Sequence, residues 1–141
     1  MIKLKNIYNE VRLVSSPTNQ LRRLQALRSS LKTAPPSEQR LIAIQCAKLV
    51  LPIWRVFYPG DDRPAASIAA AERYAENPSE ENRQAAEQAG NAAWDARNAA
   101  WDAGDKAAAF AAHAAWVTTY ADAYAAADKA IHATKLFFKI K

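Results

Sequence analysis

The stretch Leu41 to Pro64, LIAIQCAKLVLPIWRVFYPGDDRP, sets what this chain can become. Leu41, Ile42, Ile44, Cys46, Leu49, Val50, Leu51, Ile53, Trp54, Val56 and Phe57 leave almost no polar stripe. A helix apolar nearly all round belongs inside a protein. Gln45, Lys48 and Arg55 interrupt the run, and a membrane span needs roughly 20 mostly apolar residues, so the stretch reads as a buried central helix. Pro52 lies within it and implies a kink, because proline has no N–H and crowds the carbonyl of Lys48. Tyr58-Pro59-Gly60 stops the helix. Asp61 and Asp62 then supply N-cap carboxylates to a new helix, with Asp62 the expected cap, Arg63 beside them and Pro64 in the first turn.

Alanine shapes the remainder. The chain holds 33 alanines in 141 residues, most of them after Pro64. With three glycines and no convincing β-rich run, this composition predicts closely packed helices. No break is long enough for a linker, so residues 1–141 read as one helical domain. The expected architecture is all-α: a single-domain bundle of five or six helices with a kinked central helix and a long Ala-rich C-terminal hairpin. Cys46 is the one cysteine and reads as a reduced core thiol, which favours a reducing compartment. The N-terminus lacks the apolar core of a signal peptide.

The net charge of +5 is unevenly spread. Residues 1–60 carry ten Lys/Arg and two Asp/Glu, residues 61–130 six and twelve, and the last eleven residues three lysines and no acid. Basic ends around an acidic middle suit either an acidic partner or internal charge complementarity.

Along the chain, Leu4, Ile7, Tyr8, Val11 and Val14 predict a short N-terminal helix over 3–14. Ser16-Pro17 opens a second helix with Leu21, Leu24, Leu27 and Leu31 inward and Arg22, Arg23, Arg28 and Lys32 outward. Thr33-Ala34-Pro35-Pro36 ends it. Arg63 to Ala75 predicts the helix after the central one. Asn77-Pro78-Ser79-Glu80 reads as N-cap, N1 and a capping-box glutamate for a helix from Pro78 to Ala103. That helix duplicates AAWDARN at 92–98 as AAWDAGD at 99–105, placing Trp94 with Trp101 and Asp95 with Asp102. Gly104 reads as C′ residue and Asp105 as N-cap of a last helix from Lys106 to about Phe138. Phe110, His113, Val117, Tyr120, Tyr124 and Ile131 form one expected stripe along it.

No catalytic constellation stands out, and no cofactor or metal site is expected. His113 and His132 lie too far apart in sequence for a helical metal pair, and Asp128 reads as an ion-pair partner of His132. Trp94, Trp101 and Trp116 would stack bases, but Asp95 and Asp102 repel phosphate, so core packing is the better reading. The exposed acids Glu80, Glu81, Glu87, Asp95 and Asp102 form the first candidate partner surface. Asp61, Asp62 and Arg63 form a motif that either caps a helix or does more.

The run Val50-Leu51-Pro52-Ile53-Trp54, then Phe57-Tyr58-Pro59-Gly60-Asp61-Asp62-Arg63-Pro64 and Ile68, followed by an Ala-rich hairpin, resembles the Imm-5-type immunity proteins of bacteria. The resemblance covers roughly residues 38 to 133 and centres on YPxDDRP. Ala65 stands where the family commonly has a basic residue, and Tyr74 where it has tryptophan. The resemblance implies a cytoplasmic, non-catalytic protein that neutralises a partner toxin by binding it. Two other classes compete with it. A nucleic-acid-associated helical protein would use Arg22, Arg23, Arg28 and Lys32, with steep salt dependence. A small helical enzyme or ligand-binding bundle would centre on His113, Tyr120 and Asp62 and be stabilised by its ligand. A phage-type inhibitor of a bacterial defence system would share the sequence character of the first reading.

Overall fold

The computed structural model describes residues 16–120 and 122–140; the expected helix over 3–14 lies outside them. Six α-helices make up the described residues, with no strand: α1 Pro17–Ser30, α2 Pro36–Phe57, α3 Arg63–Glu76, α4 Glu80–Asp102, α5 Lys106–Val117 and α6 Ala123–Phe138. A short 3-10 turn, Thr118–Tyr120, joins the last two.

Helix α1 begins as the sequence implies. Ser16 Oγ accepts the N–H of Asn19 at 3.1 Å, and Pro17 occupies the first helical position. Leu24 and Leu31 are buried. Gln20 is buried with them and donates its side-chain amide to the Leu49 carbonyl at 2.6 Å, tying α1 to α2. A buried amide needs such a partner, since an unpaired one costs roughly 1–3 kcal/mol. At the other end Arg28 Nε meets Asp128 of α6 at 2.6 Å.

Helix α2 buries Ile44, Cys46, Val50, Ile53 and Trp54. Pro52 lies inside it, so the Lys48 carbonyl lacks its usual N–H donor. The helix is not apolar all round: Leu41, Gln45, Lys48, Arg55 and Phe57 are exposed. The most enclosed helix is α5, whose seven alanines and Val117 are all buried. It packs on α2, α4 and α6. A methyl side chain lets helix axes approach until backbone and side-chain polar groups meet. Ser67 Oγ of α3 donates to the Ala115 carbonyl of α5 at 3.0 Å inside the core.

Two boundaries depart from expectation. Asn77 does not cap α4; it ends α3, its N–H donating to the Arg73 carbonyl. Being extended before Pro78, as that position prefers, it leaves Ser79 as the N-cap, whose Oγ accepts the Asn82 N–H at 3.1 Å. Glu80 is therefore the first helical residue, and no capping box forms. The expected long helix over 106–138 is likewise two helices. Thr118 and Thr119 turn their hydroxyls back onto the Ala115 and Trp116 carbonyls at 2.6 and 2.7 Å, a bond that competes with helix continuation. Asp122 then caps α6 through the Ala125 N–H at 3.0 Å. The expected single stripe is consequently divided, with Phe110 and His113 on α5 and Tyr124 and Ile131 on α6.

The α4–α5 hairpin turns as expected. Gly104 has φ +84°, and Asp105 N–H reaches Ala100 O while Gly104 N–H reaches Trp101 O, the bond pair of a Schellman stop. Elsewhere a glycine is required for space. A Cβ on Gly90 of α4 would lie 2.5 Å from Thr119 Oγ1, 3.2 Å from its Cγ2 and 3.3 Å from its Cβ. The whole threonine, not one flexible tip, blocks the site. Alanine in a helix interior gains about 1 kcal/mol over glycine, whereas overpacking costs about 1–3 kcal/mol. Gly90→Ala is therefore expected to lower the unfolding midpoint in urea, and Gly90→Ala with Thr119→Ala, which removes both Oγ1 and Cγ2, to recover part of the loss. A Gly90→Ala protein more stable than the parent would refute the close approach.

Candidate functional site

The corner between α2 and α3 is built from inside outward. Trp54, 1% exposed, stacks on Tyr58 at 4.5 Å between ring centres and donates its indole N–H to the Asp61 carbonyl at 2.8 Å. The Tyr58 hydroxyl donates to the Asp105 carboxylate across the bundle. Burial and that carboxylate push the phenol up to about 12, so it stays a donor. Asp62 occupies the N-cap position but caps nothing with its side chain. The working carboxylate is Asp61: it accepts the Arg63 backbone N–H at 3.1 Å and holds the guanidinium through contacts of 2.6 to 3.1 Å. Those guanidinium bonds hold Asp61 below its ordinary pKa.

The five candidate acids on α4 are all exposed. They are not equivalent. Arg83 takes both Glu80, at 2.7 Å, and Glu87, at 3.1 Å. Glu81, Asp95 and Asp102 make no ion pair among the described residues.

Trp94 and Trp101 lie on the flank of α4 that faces α5: Trp94 is half-buried there, whereas Trp101 is 40% exposed. Trp94 packs on Trp116 at 4.3 Å and on His113 at 5.5 Å, Trp116 continues to Tyr120 at 5.1 Å, and Trp101 meets Phe110 edge-on at 5.8 Å. Arg97 bridges the two tryptophans, its guanidinium 4.7 Å from the Trp94 ring centre and 5.1 Å from that of Trp101. Lys106 lies over Trp101, and Lys129 of α6 over Phe110 at 5.4 Å. His132 stacks on Phe110, and its Nδ1 meets the Asp128 carbonyl. The Asp128 carboxylate belongs to Arg28 instead of His132. Sequence reading singled out neither Arg97 nor Lys129. The spacing Trp94, Arg97, Trp101 on one helical flank was a usable signal; Lys129 was hidden behind the unexpected helix break.

His113 Nδ1 is buried without a hydrogen-bond partner. Burial first, then Lys129 and Arg97, push the imidazole down to about 4. It is neutral in the fold at pH 7. His113, Tyr120 and Asp62, the centre of the competing enzyme or ligand-binding reading, share no hydrogen bond among the described residues. Among the same residues no group of three or more His, Cys, Asp or Glu side chains is placed to hold a metal ion. No described helix is long and apolar enough to cross a membrane. Of the candidate nucleic-acid face, Arg22, Arg23 and Lys32 are exposed, while Arg28 is held by Asp128.

The molecule is thus an all-helical bundle with a locked corner and a charged, aromatic outer hairpin. The sequence model of the family described as immunity protein Imm5 matches residues 16–135. The chain belongs to the Imm5 immunity protein family. No curated protein and no solved structure matches it.

Two outcomes follow from this geometry. Asp61→Ala is expected to destabilise by about 0.5–2 kcal/mol, the range for a lost cap, and Asp62→Ala by much less; equal losses in denaturant titrations would contradict the assignment. The His113 pKa is depressed relative to the unfolded chain, so between about 6.5 and 4 the unfolded state binds the extra proton. Stability from this group is complete above that window and is lost as pH falls through it. His113→Phe should flatten that limb of the melting temperature against pH; parallel profiles for the two proteins would rule out a buried neutral imidazole.

Proposed function

We propose that the chain is a cytoplasmic, non-catalytic immunity protein that binds a partner toxin and neutralises it. The observation that carries this reading is membership of the Imm5 family across residues 16–135. Cys46, the one cysteine, is buried and free, as suits a chain without a disulfide framework in a reducing compartment.

The contact falls on α4. Its outward acids stand on a long helix braced by α3 and α5, so they are presented without the entropy cost of ordering a loop. Glu81, Asp95 and Asp102 make no ion pair on that face among the described residues, Asp95 acting on Arg63 only at longer range; Glu80 and Glu87 are partly spent on Arg83. A basic cleft, as in a nucleic-acid-cleaving toxin, is the complementary surface. Opposed charges there speed encounter and fix orientation more than they add affinity.

Co-expression with its partner toxin should restore growth, and the two proteins should purify as a complex. Glu81→Lys with Asp95→Lys and Asp102→Lys should slow association at low salt, the effect shrinking as salt rises. Arg22→Glu with Arg23→Glu should leave it unchanged. Growth arrest that persists with wild-type protein in excess would refute neutralisation. Release of bound DNA or RNA by the arginine variant would point to nucleic acid instead.

A further inference from the structure

The flank between Trp94 and Phe110 differs from the acidic face beside it. Arg97, Lys106 and Lys129 make no ion pair with a carboxylate among the described residues; each lies over an aromatic ring. Arg97 has one side-chain hydrogen bond, to the neighbouring Asn98 amide oxygen at 2.9 Å. A cation over a ring is attracted to its face but keeps donors free. The rings restrict where these cations point and shield one side from water, so an incoming anion meets them partly desolvated and already placed. Trp and Arg are also the residue types on which binding energy concentrates at protein interfaces. Trp101 is 40% exposed in the middle of the patch.

We propose that this flank, with Trp101 at its centre and Arg97 and Lys129 laid over its rings, anchors a carboxylate-bearing segment of the partner protein. The inference rests on the toxin-binding reading and names the chemistry of one part of that contact. Charge complementarity selects the occupant. The cations require an acid, yet Asp95 and Asp102 run along the same helix on the adjoining face and are exposed. A continuous polyphosphate laid along the tryptophans would face both aspartates. A protein segment presents separate charges, carboxylates to Arg97 and Lys129 and cations to Asp95 and Asp102, and so satisfies both rows. Carboxylate groups also match the planar guanidinium fork of Arg97.

The test uses the full chain and three probes: a short polyglutamate peptide, a polylysine peptide of the same length, and oligothymidylate. Polyglutamate should shift the indole N–H resonances of Trp94 and Trp101 while leaving that of buried Trp54 in place. Arg97→Gln with Lys129→Gln should weaken it by about tenfold or more, the scale of a lost hot-spot contact. Asp95→Asn with Asp102→Asn should not weaken it. Thermal unfolding of each variant establishes that it is folded, and Lys129→Gln alone, a change at the rim, keeps the test decisive should the Arg97 change unfold the chain. Absence of any tryptophan shift with polyglutamate, or tighter binding of oligothymidylate, would overturn the proposal. The toxin separates this inference from the reading beneath it. Neutralisation undiminished in the Arg97→Gln, Lys129→Gln protein would sink the anchor and leave immunity standing. Polyglutamate bound at Trp101 in a wild-type protein that fails to neutralise the toxin would uphold the surface and remove the immunity reading.

Discussion

Everything in this bundle depends on how closely α5 can approach its neighbours. Its buried face is methyl groups: Ala107, Ala108, Ala109, Ala111, Ala112, Ala114 and Ala115. Each contributes little apolar area, so stability comes from many small, dense contacts and from the few large groups elsewhere. Those are Trp54 and Ile53 on α2, with Leu24 and Leu31 from the α1 end. Close approach also brings polar atoms together. Ser67 reaches the Ala115 carbonyl where α3 meets α5, and Gly90 makes room for Thr119 where α4 meets the turn after α5.

An interior this thin cannot take tryptophan from the hairpin. Trp94, Trp101 and Trp116 instead line the α4–α5 seam, Trp94 and Trp116 packing on each other and on His113 and Trp101 on Phe110. The aromatic surface is in this sense a by-product of alanine packing. Once there, the rings hold Arg97, Lys106 and Lys129 over them, and burial together with Lys129 and Arg97 lowers the His113 pKa. One constraint on helix separation thus produces the chemistry of the outer face.

The same physics separates what could be read in advance from what could not. Helical class, the Ser16-Pro17 start, the Tyr58-Pro59-Gly60 stop and the Gly104 turn are local, set by residues within one turn of each other. They stand as expected. The α5–α6 break was local too, written in Thr118-Thr119 and Asp122, but it was masked by alanines continuing on both sides. The choice of Ser79 over Asn77 turned on one proline. Tryptophan burial was not legible, because it depends on the distance between helices rather than on the pattern along one. Nor was the pairing of Arg28 with Asp128, one hundred residues apart; short-range spacing suggested His132 for that carboxylate.

The corner motif ties the family resemblance to structure. Within Tyr58-Pro59-Gly60-Asp61-Asp62-Arg63, the groups with assigned contacts face inward or each other. Tyr58 reaches Asp105 at the foot of α5, Trp54 holds the Asp61 carbonyl, and Asp61 holds Arg63. These bonds connect the end of α2, the start of α3 and the α4–α5 turn. A segment so engaged ties the hairpin to the corner of the bundle, while Asp62 beside it stays exposed and caps nothing with its side chain. The residues that carry the family resemblance are in this sense the ones that build the corner.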